Sequence, residues 1–267
     1  MIRLNGKEVT LGSFPDGTLL MKQEPAANGA EIEWYYESDR ELAALIYLTK
    51  HLNSHGTDRV SLFMPYIPNA RQDRVKTSED VFTLKYFAEL INSLGFTSVT
   101  VLDPHSTVSE ALFDRIVIKT PRENVSRITG ELTEAEGMSP VMFYPDEGAS
   151  KRYSALAELP YCFGIKKRDW KTGKIQGLDL AGETSLIEGK PVLIVDDICS
   201  KGGTFLHSAK RLKEQGAGNI YLYISHCERS ILDGELLESG LIRRIYTTDS
   251  ICRIEHPMIE ILPCKGE

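Results

Sequence analysis

Cysteine is scarce in this sequence, and its few copies form no recognisable pattern. The 267 residues contain five cysteines, an odd number, widely spaced and without a CxxC pair. This pattern argues against both a disulfide framework and a zinc site. It predicts a protein of the reducing cytoplasm. The five positions are Cys162, Cys199, Cys227, Cys252 and Cys264.

Long apolar runs and an excess of positive charge are also missing. No stretch approaches the ~20 apolar residues of a membrane span, and the first residues, MIRLNGKEVTLGSF, lack the apolar core of a signal peptide. Lys and Arg number 31 against 38 Asp and Glu, which gives a net charge of −7. We therefore expect a soluble chain with neither a membrane nor nucleic acid as partner, in which any anion is bound by a local site.

What the sequence does contain, in place of repeats or low-complexity segments, is an alternation of strand-sized apolar runs with helical periodicity. Two strand-like runs, 18–24 and 31–37, flank Asn28-Gly29, and this pattern predicts an N-terminal antiparallel hairpin. Later runs predict alternating strands and helices, and hence right-handed crossovers and a parallel sheet. The predicted elements are a helix from about Asp39, strand 60–64, helix 79–93, strand 98–102 and a helical stretch after Asn124.

A second series of alternating elements begins near Pro140. It comprises strand 141–144, helix 149–158, strands 161–165 and 191–195, helix 204–215 and strand 219–225. Two tandem α/β domains, each a mostly parallel sheet flanked by helices, fit this order better than one. The polar stretch EGMSP, with both helix breakers, places the predicted boundary between domains 1–138 and 139–267.

The most informative segment is PVLIVDDICSKGGTF, residues 191–205. A strand buried on both faces ends in Asp196 and Asp197, and a short glycine-containing loop then opens a helix. Gly202 and Gly203 let backbone amides approach a phosphate, and Thr204 adds a hydroxyl at the positive end of the helix. The two acids can accept hydrogen bonds from neighbouring ribose hydroxyls or help to hold a metal. The generic alternative is an acidic turn that caps a helix.

This segment resembles the phosphoribosyl-diphosphate motif that type I phosphoribosyltransferases share with phosphoribosyl-diphosphate synthetases (ribose-phosphate pyrophosphokinases). The N-terminal half resembles the synthetases alone, because the transferases do not carry an ATP site. The resemblance runs in family order from residue 14 to about residue 205. Its remaining pieces are FPDG at 14–17, PYIPNARQDR at 65–74, LDPHS at 102–106, YPDEG at 144–148 and IKKR at 165–168.

The resemblance implies a magnesium-dependent enzyme that transfers the β,γ-diphosphate of ATP to the 1-hydroxyl of ribose 5-phosphate. It implies that Lys166 and Arg168 are catalytic and that the following loop, 169–183 with Trp170 and several glycines, is a mobile lid. The implied ATP-binding residues are Phe14, Asp16, Arg71, Gln72, Asp73 and His105, the implied metal ligands are His105 and Asp146, and the implied ribose-phosphate residues are Asp196, Asp197, Ser200, Lys201, Gly202, Gly203 and Thr204. A homo-oligomer is implied by the resemblance only.

Several departures from the family pattern leave the acceptor open. Thr18 stands where the family's FxDGE loop ends in an acid, Pro104 interrupts Asp-x-His, and the cradle reads SKGGT rather than TAGT. Lys201 adds a charge where the 5-phosphate would lie, so a 5-substituted ribose phosphate such as ADP-ribose, in NAD salvage, is the alternative acceptor. A phosphoribosyltransferase and a catalytically silent regulatory homologue are further alternatives.

Overall fold

The computed structural model describes residues 1–26, 28–168 and 175–265, and for residues 166–168 and 175–178 it describes the backbone alone. The chain forms two compact units, Met1–Lys119 and Thr120–Glu267. Among the helices of these described ranges, none combines the length and apolar character needed to cross a bilayer. Each unit is built around its own sheet.

The first unit contains a six-stranded sheet in the order β2-β1-β5-β6-β7-β8 and a separate ribbon, β3-β4. β5 to β8 run parallel, whereas β1 is antiparallel to both of its neighbours. The bounds are β1 Ile2–Leu4, β2 Lys7–Glu8, β3 Leu11–Ser13, β4 Leu19–Met21, β5 Ala30–Trp34, α1 Arg40–Ser54, β6 Val60–Phe63, α2 Thr83–Ser93, β7 Val99–Leu102, α3 Val108–Leu112 and β8 Ile116–Lys119.

The second unit contains a seven-stranded sheet in the order β11-β10-β9-β12-β13-β14-β15, in which only the β10/β11 pair is antiparallel. The bounds are α4 Arg122–Glu136, β9 Val141–Tyr144, α5 Glu147–Tyr153, β10 Tyr161–Arg168, β11 Ile175–Gly182, β12 Val192–Cys199, α6 Gly203–Glu214, β13 Ile220–Cys227, β14 Arg244–Thr248 and β15 Ile259–Leu262; short 3-10 helices span Thr184–Leu186 and Arg229–Asp233.

The predicted two-unit α/β architecture, with mostly parallel sheets and an N-terminal hairpin, is confirmed. The pairing predicted for that hairpin is wrong, because β4 pairs with β3, and β5 lies between β1 and β6. Ile32 and Trp34 on β5 are fully buried, so this strand gains more as a central strand than as half of an exposed ribbon. Gly29 does adopt the expected positive φ, 103°, but outside a hairpin.

The two units divide earlier in the chain than the predicted boundary at 138/139. The reason is α4, whose Val125, Ile128 and Leu132 pack in one apolar cluster with Met142 and Leu193 of the second sheet. Helix α2 also begins later than predicted, because Asp80 accepts hydrogen bonds from the backbone amides of Lys76 and Thr77 and closes a turn there.

The central strands of the second sheet are buried on both faces, as their continuous apolar sequence predicts. On β12, Val192 and Ile194 face one apolar cluster, and Leu193 and Val195 face the other. From β9 the chain passes through α5 to β10, which lies on one side of the β9/β12 pair in the sheet. From β12 it passes through α6 to β13, which lies on the other side of that pair. The carboxyl ends of β9 and β12 therefore flank the point where strand order reverses, which is where open α/β sheets bind ligands.

Candidate functional site

Three carboxylates meet at this reversal point in the second unit. Asp146 follows β9 and caps α5, accepting a hydrogen bond from the Ala149 amide at 3.0 Å. Asp196 and Asp197 lie near the end of β12, the first half-buried and the second 5% exposed. Burial raises the pKa of Asp196, and the charges of Asp197 and Asp146 raise it further. The site therefore favours partners that relieve crowded negative charge, such as hydroxyl donors or a cation.

Arg152, which sequence reasoning did not select, contacts this group of acids. Its Nη1 lies 3.7 Å from Oδ2 of Asp197. Arg152 is on the last turn of α5, so the helix that begins at Asp146 also brings a cation back toward β12. The sequence does show a basic residue, Arg152, on the helix that follows β9. Its pairing with Asp197, however, depends on the order of the strands in the sheet, which places β9 beside β12.

The predicted phosphate cradle, residues 200–204, is a continuous loop that leads from β12 into α6. Gly202 has φ 79° and is buried, and Gly203 begins the helix. A Cβ at Gly202 would lie 2.8 Å from side-chain atoms of Leu236, whereas a Cβ at Gly203 would have no neighbour within 4 Å. Gly202 is therefore required by backbone geometry and by packing, and Gly203 borders open space beside the exposed Lys201.

The segment after β13, which sequence reasoning did not select, contacts the cradle on its buried side. The hydroxyls of Ser200 and Ser230 are 3.0 Å apart, and Ser230 donates a hydrogen bond to Glu228 at 3.2 Å. A Cβ at Gly234 would overlap the carbonyl oxygen of Lys201. The Asp-Gly at 233–234 is a recognisable turn signal, but its contact with the cradle is tertiary.

In the first unit, the ARQDR residues follow β6 and His105 follows β7. Asp73 is buried and receives hydrogen bonds from Arg74 at 2.7 and 3.0 Å, which lower its pKa, and the charges of Arg74 and His105 lower it further. Gln72 accepts a hydrogen bond from Thr83 at 2.9 Å, and Arg71 is exposed. Because β6 and β7 are adjacent and parallel, their carboxyl ends bring Asp73 and His105 near one another.

Phe14 and Asp16 lie in the turn between β3 and β4, away in sequence from these residues. The Phe14 ring is 49% exposed, so it offers a flat apolar surface. Asp16 accepts hydrogen bonds from the backbone amide and the hydroxyl of Thr18, at 3.0 and 2.7 Å, which lower its pKa. Thr18, the residue that departs from the family's FxDGE loop, therefore closes this turn.

Lys166 and Arg168 are the last residues of β10, which extends three residues beyond the strand predicted at 161–165. Their backbones pair with Leu178 and Ile175 of β11, with a register irregularity between Lys167 and Arg168. Their side chains lie outside the described part of the structure. The prediction that they act on the transferring diphosphate thus stays a prediction.

The loop predicted at 169–183 is wrong for part of its length, because Ile175–Gly182 forms strand β11; the role of this segment as a lid stays a prediction. Gly182 has φ 90°, and a Cβ there would lie 2.9 Å from the Tyr161 carbonyl oxygen, so a close strand contact accounts for this glycine. Trp170 and Gly173, on which the lid prediction also rested, lie outside the described residues.

Across the described residues, no group of three or more His, Cys, Asp or Glu side chains is arranged to hold a metal ion. Mg²⁺ commonly uses one or two carboxylates and the phosphates of a substrate, so the oxygen donors at Asp146 and Asp196 fit a substrate-borne ion. His105 and Asp146 belong to different units. Their roles as metal ligands stay predictions.

Comparison with known proteins supports this picture. Residues 149–231 match the phosphoribosyl transferase domain family. The chain is 28% identical to the ribose-phosphate pyrophosphokinase of Sulfolobus acidocaldarius over 89% of this chain and 82% of that protein, and 26% identical to the one from Buchnera aphidicola over 97% and 83%.

A solved structure shows the same fold over nearly the whole chain. The phosphoribosylpyrophosphate synthetase of Mycobacterium smegmatis superposes with a TM-score of 0.78 and 19% identity, covering 96% of this chain and 86% of that one. The order of elements, the cradle at the end of β12 and the full-length sequence matches agree with one another. Along nearly its whole length the chain is therefore similar to ribose-phosphate pyrophosphokinases, which are transferases, and it has the fold of a phosphoribosylpyrophosphate synthetase, with a phosphoribosyltransferase-like architecture.

Proposed function

We propose that the protein synthesises phosphoribosyl diphosphate from ATP and ribose 5-phosphate. The 1-hydroxyl oxygen of the ribose bonds to the β-phosphorus of ATP, the bond from that phosphorus to the α–β bridging oxygen breaks, and the hydroxyl proton is released. The products are phosphoribosyl diphosphate and AMP. Such transfers depend mainly on positioning and on neutralising charge, which are the properties this site offers.

The observation that carries the proposal is the cradle at the reversal point of the second sheet. Gly203 borders open space at the start of α6, so the backbone amides of the first turn of that helix would bind the 5-phosphate. Asp196 and Asp197, at the end of the same strand, would accept hydrogen bonds from the ribose hydroxyls. A half-buried and a buried carboxylate beside a helix N-terminus suit a sugar phosphate better than a phosphate alone.

ATP would bind to the first unit. The exposed Phe14 ring would stack on adenine, while Gln72 would meet its edge and Arg71 its phosphates. Asp73, held in place by Arg74, would orient the loop that carries them. His105 would contact the phosphates or the metal, and Asp16 keeps the Phe14 turn closed through Thr18.

In the first unit His105 would bind Mg²⁺ or an ATP phosphate, and in the second unit Asp146 would hold a second metal or orient the ribose; bound Mg²⁺ would neutralise the charge of the diphosphate. Lys166 and Arg168, the cations at the end of β10, would stabilise the negative charge of the transferring diphosphate. Self-association into a homo-oligomer also stays a prediction.

A second acceptor, a 5-substituted ribose phosphate such as ADP-ribose, is favoured by one observation. Gly203 faces open space and Lys201 beside it is exposed, so a substituent on the 5-phosphate has room and a cation to meet it. With such an acceptor, Gly203→Ala would weaken ADP-ribose more than ribose 5-phosphate. With ribose 5-phosphate as acceptor, Lys201→Ala would weaken it roughly 10- to 100-fold.

The test incubates the protein with Mg²⁺, ATP and either acceptor or an equal mixture, and separates nucleotides and sugar products by chromatography and mass. The proposed function predicts AMP rather than ADP, in one-to-one ratio with phosphoribosyl diphosphate. If the equal mixture yields more ADP-ribose carrying the transferred diphosphate than phosphoribosyl diphosphate, ADP-ribose is the preferred acceptor. Absence of AMP with both would refute the pyrophosphokinase assignment and favour a phosphoribosyltransferase or a silent homologue.

A further inference from the structure

Arg152 links two elements of the ribose-phosphate site. It lies on the last turn of α5, the helix capped by Asp146, and its Nη1 is 3.7 Å from Oδ2 of Asp197 on β12. The Arg152 side chain is 32% exposed and that of Asp197 is 8% exposed, so the pair lies at the boundary between site and core. Exposed ion pairs contribute little, but a partly buried pair is much less screened by solvent.

The guanidinium of Arg152 is itself held by buried aromatic residues. It lies over the Tyr153 ring, 5.5 Å from the ring centre, and its Nη1 is 3.4 Å from the Tyr153 hydroxyl. Tyr153 is fully buried, and its carbonyl oxygen accepts a hydrogen bond at 3.2 Å from Tyr144 of β9. Tyr153 thus orients the Arg152 guanidinium, and Tyr144 in turn holds the backbone of Tyr153.

Asp197 needs such a partner because of its neighbours. Asp196 precedes it, and its Oδ1 accepts a hydrogen bond from the Asp197 amide at 3.0 Å. Asp146 lies close enough to Asp196 for its charge to act there. Without a cation, mutual repulsion among these carboxylates would turn the Asp197 side chain away from its neighbours. At 3.7 Å, Arg152 attracts Asp197 as a charge rather than through a short hydrogen bond.

We infer that Arg152 is a positioning residue, which holds the carboxylate of Asp197 in the direction required to accept hydrogen bonds from the hydroxyls of the ribose acceptor. This inference rests on the proposed function and adds a residue to its acceptor site. Arg152 acts on the acceptor through Asp197. Its loss should therefore affect the acceptor far more than ATP.

The neighbouring cation provides a matched control. Lys151 is on the same helical turn, but its ammonium pairs with Glu147 at 2.9 Å, and both side chains are largely exposed. Lys151→Gln removes the same charge from α5 as Arg152→Gln without touching the contact with Asp197. Any general effect of lowering the positive charge of the helix appears in both variants.

The experiment compares wild type, Arg152→Gln, Arg152→Lys and Lys151→Gln. The Kd of ribose 5-phosphate, and of ADP-ribose, is measured by calorimetry without ATP, and KM values for both substrates and melting temperatures are recorded separately. We expect Arg152→Gln to raise the acceptor Kd about tenfold or more, with the KM of ATP changed less than about twofold. Arg152→Lys should recover part of the affinity, because it keeps the charge but not the planar fork, and Lys151→Gln should match wild type.

An acceptor Kd unchanged in Arg152→Gln would overturn the inference. So would equal losses for acceptor and ATP together with a lower melting temperature, which indicate a purely structural role. If the proposed function fails, the result is different, because wild type then binds the acceptor but forms no AMP. In that case the acceptor Kd of Arg152→Gln relative to that of wild type still tests the role of Arg152. Wild type that binds neither acceptor would refute both.

Discussion

Replacing Gly202 with alanine tests whether the cradle depends on the conformation that the structure gives it. Gly202 has φ 79°, where an L side chain costs about 1–2 kcal/mol. The added Cβ would also lie 2.8 Å from Cβ and Cδ2 of Leu236, and overpacking of this kind typically costs about 1–3 kcal/mol. We therefore expect Gly202→Ala to lower the free energy of unfolding by about 2–5 kcal/mol.

Gly203→Ala is the matched control, because its Cβ meets nothing within 4 Å and the residue begins α6. It should leave stability unchanged or raise it by up to about 1 kcal/mol, since alanine favours the helix more than glycine does. Urea unfolding followed by circular dichroism gives both values, and calorimetry with ribose 5-phosphate reports whether the cradle has moved.

A double-mutant cycle with Leu236→Ala separates the two contributions at Gly202. Leu236→Ala removes Cγ and Cδ2 but keeps the Cβ that lies 2.8 Å away, so it relieves part of the contact and none of the backbone strain; the double variant should therefore be more stable than the sum of the single changes predicts, by about 1 kcal/mol. The reasoning is refuted if Gly202→Ala and Gly203→Ala are equally stable. It is refuted in part if the two changes at 202 and 236 are additive, because packing against Leu236 would then contribute nothing.

Three further predictions concern catalysis, ATP and pH. Lys166→Ala should lower turnover by about 10²–10³-fold with the melting temperature and ATP affinity nearly unchanged, because the cation acts on charge that develops in the transition state; near-normal kcat at saturating substrates would contradict this. Arg71→Ala should raise the KM of ATP about 10- to 100-fold and leave that of the acceptor unaffected, and equal rises would remove Arg71 from the nucleotide site. The raised pKa of Asp196 means that ionising its carboxyl group lowers the stability of the folded protein, and this loss grows as pH rises from the ordinary aspartate pKa of about 3.9 through the raised pKa. Asp196→Asn should therefore melt at a higher temperature than wild type at pH 8, and the difference should be smaller at pH 5. A difference in melting temperature that is the same at both pH values would show that the pKa of Asp196 does not change on folding.

Local sequence signals predicted the second unit well. The apolar run ending at Val195 is a buried strand because a parallel strand covered on both faces needs apolar residues in succession. The helix predicted at 204–215 is α6, and its Phe205, Leu206, Ala209 and Leu212 pack in an apolar cluster of the second unit. The cradle was predictable for the same reason, since glycine, acid and helix start are adjacent in the chain.

Errors arose where distant segments compete for the same partner. The run 31–37 carries a hairpin signal, but β1 and β6 offer it a buried central position. The edge strand β15 and its neighbour β14 were missed, as were β1 and β8. Gly182 was assigned to a lid because the segment around it has the glycine-rich composition of a loop. In the structure, a glycine is needed there because the backbone of Tyr161 on the adjoining strand leaves no room for a Cβ.

By itself, the sequence determined the α/β class, the cradle, its pair of acids and the family resemblance, because each depends on residues close together in the chain. Only the tertiary structure decided the strand order that makes the ends of β9 and β12 neighbours. That order brings Arg152 to Asp197 and Gly234 to the back of the cradle. Such contacts depend on how sheets and helices share buried surface over the whole unit, and no local spacing of residues encodes them.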